Sequence, residues 1–199
     1  MRPGARVVIG IGGNIATGKT TVANFFRELG ATCIAADEVG WEVLPDITPA
    51  LKKRFGEWIM FRSGCKIDKK KLRDLVFSDR AGLEYLNRIS HPLLTQKIAA
   101  RVDGLKSGII VIDAALLFEW PEIAALCDHK ILVTAHPKKT RGRVEAKGIG
   151  HGLFSKIRSM QKDNEEMMAQ ADFVIRNNGT LDELRGRCQL IYQRIKDDC

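Results

Sequence analysis

The sequence predicts an α/β fold in which a parallel sheet of about five strands is flanked by helices, and three observations carry that reading. Short apolar runs recur along the chain, helical patterns lie between them, and the first run dissolves into glycines before it meets a lysine and two threonines. The runs are apolar without strict alternation, which suits strands buried on both faces of a parallel sheet.

The first run is VVIGI at 7–11. After it, TTVANFFRELG has apolar residues at helical spacing, and Gly30 stands where a helix stops. ATCIAA at 31–36 supplies the second strand, so the chain opens with a βαβ unit. The interval from about 40 to 105 is too long for one crossover and reads as several helices. GIIVIDAALL at 108–117 and KILVTA at 130–135 are the third and fourth strands. From 136 to 171 a basic, glycine-broken stretch precedes another helix. DFVIRN at 172–177 is the fifth strand, and the turn signal NNGT leads into a final helix from about 180 to 197. Residues 1–199 are read as a single domain, one sheet with a helical insertion at about 40–105 and a lid at about 136–165.

With 199 residues, 45% hydrophobic and 28% charged, the chain can bury one sizeable core and has no segment that must be disordered. The apolar run VVIGI is far shorter than a signal-peptide core or a membrane span, so a cytoplasmic protein without a membrane partner is expected. Cys33, Cys65, Cys127, Cys188 and Cys199 are scattered and never form CxxC, which points to reduced thiols and neither a disulfide framework nor a zinc site. The net charge of +8 asks for an anionic partner. Much of the excess sits in KIDKKKLR (66–73) and HPKKTRGRVEAK (136–147), and neither stretch has the interleaved aromatics or motif spacing of a nucleic-acid binder. Composition alone does not choose between nucleic acid, an acidic surface and phosphorylated small molecules.

The opening stretch explains the charge. Gly13-Asn14-Ile15-Ala16-Thr17-Gly18-Lys19-Thr20 matches GxxxxGK[ST] directly after a strand and before a helix, the pattern of a P-loop. Its glycines let backbone N–H groups converge on phosphate oxygens, and the helix adds its positive end. From residue frequencies a chance match in a chain of this length is roughly one in a hundred. The ATP-binding set is therefore residues 13–20 with Thr21; Lys19 reaches the β- and γ-phosphates and the Thr20 hydroxyl holds magnesium. Ala16 stands where many small-molecule kinases have glycine.

A P-loop alone does not separate switch from kinase. Asp37-Glu38-Val39-Gly40 has the DxxG form of a nucleotide switch, but no guanine-reading NKxD accompanies it. A kinase needs a second anionic site and a cover that excludes water, and the two insertions can supply them. Asp37 closes the second strand at the carboxyl edge of the sheet, where it either takes the proton of an acceptor hydroxyl or caps a helix. Arg141, Arg143 and Lys147 are candidates to close over the polyphosphate. Asp113 either holds magnesium through water or caps the end of a strand.

The residues resemble the dephospho-coenzyme A kinase family nearly end to end. The P-loop, IAADEVG, KIDKKKLRDLVF (66–77), SHPLL (90–94), DAALLFE (113–119), RVEAKG (143–148), IRSMQ (157–161) and ADFVIRNNG (171–179) match its motifs in order. The resemblance implies a P-loop kinase fold and transfer of the γ-phosphoryl of ATP, with Mg2+, to the ribose 3′-hydroxyl of dephospho-coenzyme A. It implies that Asp37 is the base, with Lys19 and Arg143 beside it in catalysis. It further implies that His91 and Leu116, Leu117 and Glu119 line the acceptor site, that Lys69 belongs there too, and that Asn178 lies in the loop at the adenine edge. Without it, His91 reads as a helix-start histidine, and Leu116, Leu117 and Phe118 read as core. The chain departs from the family at Lys69 and Lys147, where arginine is usual, at Ala35, where the strand-end pair of aspartates is reduced to Asp37, and at Ala115 in place of proline. Lysine keeps the charge and loses the bidentate fork. The alternatives are another P-loop small-molecule kinase, for a nucleoside, nucleotide or polyol, and a non-catalytic nucleotide sensor.

Overall fold

The structure is a computed structural model that describes residues 6–61, 66–146, 148 and 150–198. Cys65, Lys147 and Cys199 lie outside the described residues. The chain divides into two compact units, one of residues 1–36 with 98–199 and one of residues 37–97.

The first unit is built on a five-stranded parallel sheet, β1 (Arg6–Gly12), β2 (Thr32–Ala35), β3 (Gly108–Asp113), β4 (His129–Thr134) and β5 (Phe173–Arg176), in the order β2-β3-β1-β4-β5. On one face Ile9, Ile11, Val111, Ile131 and Val133 pack against Val22 and Phe26 of α1 (Lys19–Glu28) and against Leu184, Cys188 and Ile195 of α9 (Leu181–Asp197). On the other, Ile110, Ile112 and Leu132 are equally buried, beside Leu117 and Ile123. Both faces of β1, β3 and β4 are covered, which is why these strands read as continuous apolar runs, whereas the edge strands β2 and β5 each bury a single residue, against the expectation that every run is buried on both faces.

The first helix ends as its sequence suggests. Gly30 (φ 104°) is left-handed, with its N–H on the Arg27 carbonyl and the Ala31 N–H on the Phe26 carbonyl, the paired bonds of a Schellman motif. The third strand is shorter than the apolar run implied. It stops at Asp113, the Ala114 N–H bonds the Ile11 carbonyl, and Leu117–Glu119 form a 3-10 turn that leads into the short α5 (Pro121–Ala124). The stretch after β4 forms α6 (Pro137–Ala146), α7 (His151–Ser159) and α8 (Asn164–Met168).

The second unit is helical, from α2 (Ala36–Phe55) through α3 (Lys69–Val76) into α4 (Arg80–Gly104), around Val39, Val43, Leu51, Ile59, Leu72 and Leu94. Part of its basic stretch is structural. The Asp68 carboxylate caps α3 through the N–H groups of Lys70 and Lys71, and the Lys71 ammonium donates to the carbonyls of Trp58 (3.0 Å) and Met60 (3.1 Å). Lys69 lies 4.1 Å over the Trp41 ring. Among the described residues no helix is long and apolar enough to cross a membrane.

Candidate active site

The P-loop leaves the central strand at Gly12 and enters α1 at Lys19. At Gly13 (φ 139°) a side chain would run into the Val133 carbonyl, and at Gly18 (φ 100°) into the Asn177 amide, so both positions require glycine. The Asn14 carbonyl gathers the loop. It accepts from the Thr17 hydroxyl (2.9 Å), the Thr17 N–H (3.4 Å) and the Lys19 ammonium (3.2 Å). Asn14 and Thr17 are buried, Ile15, Ala16 and Thr21 are half-buried, and Thr20 is exposed in the first turn of α1. That turn carries no acidic residue, so the helix start offers unopposed positive potential to an anion.

Arg143 and Asn177 tie the loop to α6 and to the turn after β5. The Arg143 guanidinium donates to the carbonyls of Ala16 (3.2 Å), Thr17 (3.1 Å) and Asn177 (3.1 Å). From α6 it thus bridges the P-loop and the turn after β5. Asn177, 6% exposed, donates its amide to the Thr17 carbonyl at 2.8 Å. Asn178, expected at the adenine edge, is exposed, and its side-chain oxygen accepts the His136 N–H at 2.7 Å. Asn177 belongs to the same Asn177-Asn178-Gly179 turn that the sequence placed at the adenine edge, and its bond to the P-loop is what the sequence did not single out.

The 117–119 turn packs flush on β1. A β-carbon at Gly12 would stand 2.7 Å from the Phe118 ring, and one at Gly10 2.7 Å from the Leu117 methyl carbon. Leu117 is fully buried and Phe118 is 4% exposed. This corrects the reading of Leu117 as a residue that lines the acceptor: its side chain is core under the turn. Leu116 is half-buried. Glu119 accepts the Lys162 N–H through Oε1 (3.0 Å), while its Oε2 is buried with no hydrogen-bond partner among the described residues. Asp113 ends β3, in register with Ile11 on one side and Ala35 on the other.

Asp37, Lys69 and His91 belong to the helical unit. Asp37 is exposed in the first turn of α2, two residues past the end of β2. The cap alternative is not what forms, because the helix already includes Ala36. Gly40 is helical as well, so its N–H belongs to the helical ladder and not to a phosphate-sensing loop, which removes the basis of a DxxG switch. His91 is half-buried within α4, which continues through Pro92, so it is no helix-start histidine.

A parallel 2-3-1-4-5 sheet, with a P-loop at the tip of its central strand and a basic helix holding that loop, defines a P-loop kinase. A model of the CoaE family, dephospho-CoA kinase, matches residues 7–183, and the chain belongs to this family. A dephospho-CoA kinase of Shewanella oneidensis is 31% identical over 194 residues, 96% of this chain and 94% of that protein. One from Dehalococcoides mccartyi is 36% identical over 198 residues, 92% of this chain and 95% of that protein. A Thermus thermophilus protein of known crystal structure aligns with a TM-score of 0.79 at 27% identity, over 95% of this chain and 97% of that one.

Proposed function

We propose that this protein transfers the γ-phosphoryl group of ATP to the ribose 3′-hydroxyl of dephospho-coenzyme A, the last step of coenzyme A synthesis, in the cytoplasm. The observation that carries this reading is the family match over residues 7–183, which spans the P-loop and both insertions. The N–H groups at the start of α1 and in the P-loop bind the triphosphate, and Lys19, kept in place by the Asn14 carbonyl, reaches from there to the β- and γ-phosphates. Arg143, as the lid arginine, neutralises charge on the polyphosphate beside Lys19, and Asn177 holds the loop through the Thr17 carbonyl, so that little reorganisation accompanies transfer.

Asp37 holds the acceptor hydroxyl in line with the γ-phosphorus and takes its proton as the new P–O bond forms. Lys69, His91, Leu116 and Glu119 bind the acceptor, and the unpartnered Glu119 Oε2 is an acceptor atom suited to a hydroxyl or amide donor. Thr20 and Asp113 fit magnesium, since an exposed hydroxyl and a strand-end carboxylate are the hard oxygen donors that this ion takes alongside phosphates. When bound, magnesium would neutralise charge between the β- and γ-phosphates.

Asp37→Asn tests the assignment. Asparagine keeps the shape and cannot act as the base, so turnover should fall on the order of 10²- to 10⁴-fold with both substrates still bound. Calorimetric titration beside a coupled ADP assay reads all three quantities. Lost ATP affinity with a proportionate loss of rate would make Asp37 a metal or structural residue.

A further inference from the structure

The segment between α7 and α8 reaches back to the P-loop by bonds that the mechanism above leaves unexplained. The Gln161 side-chain oxygen accepts the Ile15 N–H at 2.9 Å. The Asn14 amide donates to Asn164 Oδ1 (2.9 Å) and to the Lys162 carbonyl (3.5 Å). The Lys162 ammonium donates to the Phe118 carbonyl (2.9 Å), in addition to the bond from its N–H to Glu119.

The Ile15 N–H and the Asn14 carbonyl are the two ends of one peptide unit. In a planar trans peptide they point in opposite directions, so a partner that fixes one fixes the other. On one side the carbonyl carries Thr17 and the Lys19 ammonium; on the other stands Gln161. The geometry points to Gln161 as a positioning residue that locks the Asn14–Ile15 peptide plane and, through it, sets the place of Lys19. A glutamine does this with a neutral oxygen. A glutamate would make the same bond while adding a negative charge beside the loop that must receive a polyphosphate, and like charges there oppose binding.

The inference rests on the kinase reading for its substrate, yet ATP binding can be measured without an acceptor. Titration calorimetry of ATP is therefore run on wild type, Gln161→Ala and Gln161→Glu, with thermal unfolding and steady-state kinetics on the same preparations. Gln161→Ala should weaken ATP about tenfold, the scale of one hydrogen bond, at any salt, and leave the KM for dephospho-coenzyme A unchanged. Gln161→Glu should be weakest at low salt and approach wild type as salt screens the added charge. An alanine variant within twofold of wild type overturns the inference, as does a lowered Tm with both KM values rising together, since that marks a purely structural role. Weakened ATP binding in the variants, with a wild type that does not phosphorylate dephospho-coenzyme A, would sink the kinase reading and leave this inference standing.

Discussion

Ala16 has φ 61°, a left-handed conformation in which a β-carbon crowds the following carbonyl oxygen at a cost of roughly 1–2 kcal/mol. Glycine adopts it without that cost but loses more chain entropy on folding, so Ala16→Gly should stabilise the protein by about 1 kcal/mol, a rise of roughly 2–4 °C in Tm. Thermal unfolding with and without ATP checks this; a lower Tm would mean that the loop needs the alanine methyl group. The sequence marked this position as unusual, and the backbone supplies the reason. The strand–loop–helix placement of the P-loop was equally legible, because it is a local motif carried by residue order. The roles of Asn177 and Gln161 were not. Both act on a loop more than a hundred residues away, through bonds made to its backbone, and only the fold brings them there.

At the scale of elements, the five strands were readable from apolar continuity and the helix stop from Gly30, since each depends on residues close together in sequence. The end of β3 was not. The run GIIVIDAALL stays apolar past Asp113 because Ala114 and Leu117 are buried where the chain turns over β1, and burial looks the same in a turn as in a strand. That turn depends on glycine in the strand below. Gly12→Ala would put a β-carbon 2.7 Å from the Phe118 ring and 2.9 Å from the Leu117 β-carbon, so the 117–119 turn must shift. The expected loss is about 1–3 kcal/mol, with the KM for the acceptor rising more than that for ATP. Gly186→Ala is the contrasting case: its β-carbon meets nothing within 4 Å in α9, and helix propensity predicts a gain approaching 1 kcal/mol. Unfolding curves of the two variants decide it, and equal losses in both would refute the packing account.

For the whole molecule, two thiols, Cys188 buried and Cys127 half-buried, set a limit at alkaline pH. Burial pushes Cys127 and Cys188 each up from 9.0 to about 12, so the neutral thiol is favoured in the folded state. Their contribution to stability is complete below pH 9 and is lost as pH rises from about 9 through about 12. Urea midpoints should therefore decline above pH 9, and less steeply in a Cys188→Ala variant; parallel declines would show that other groups dominate. The net charge of +8 was legible as a call for anionic partners, and the fold divides that charge among different tasks. Lys71 holds two backbone carbonyls, so part of the basic stretch at 66–73 is structural. The identity of the acceptor is the central claim, and ADP release from ATP and magnesium tests it most directly, with dephospho-coenzyme A, nucleosides, nucleotides and polyols offered in turn and the phosphorylated position of the product determined. The account predicts rapid release with dephospho-coenzyme A alone and phosphate on the ribose 3′-oxygen; faster transfer to another acceptor, or ADP release that no acceptor stimulates, would contradict it.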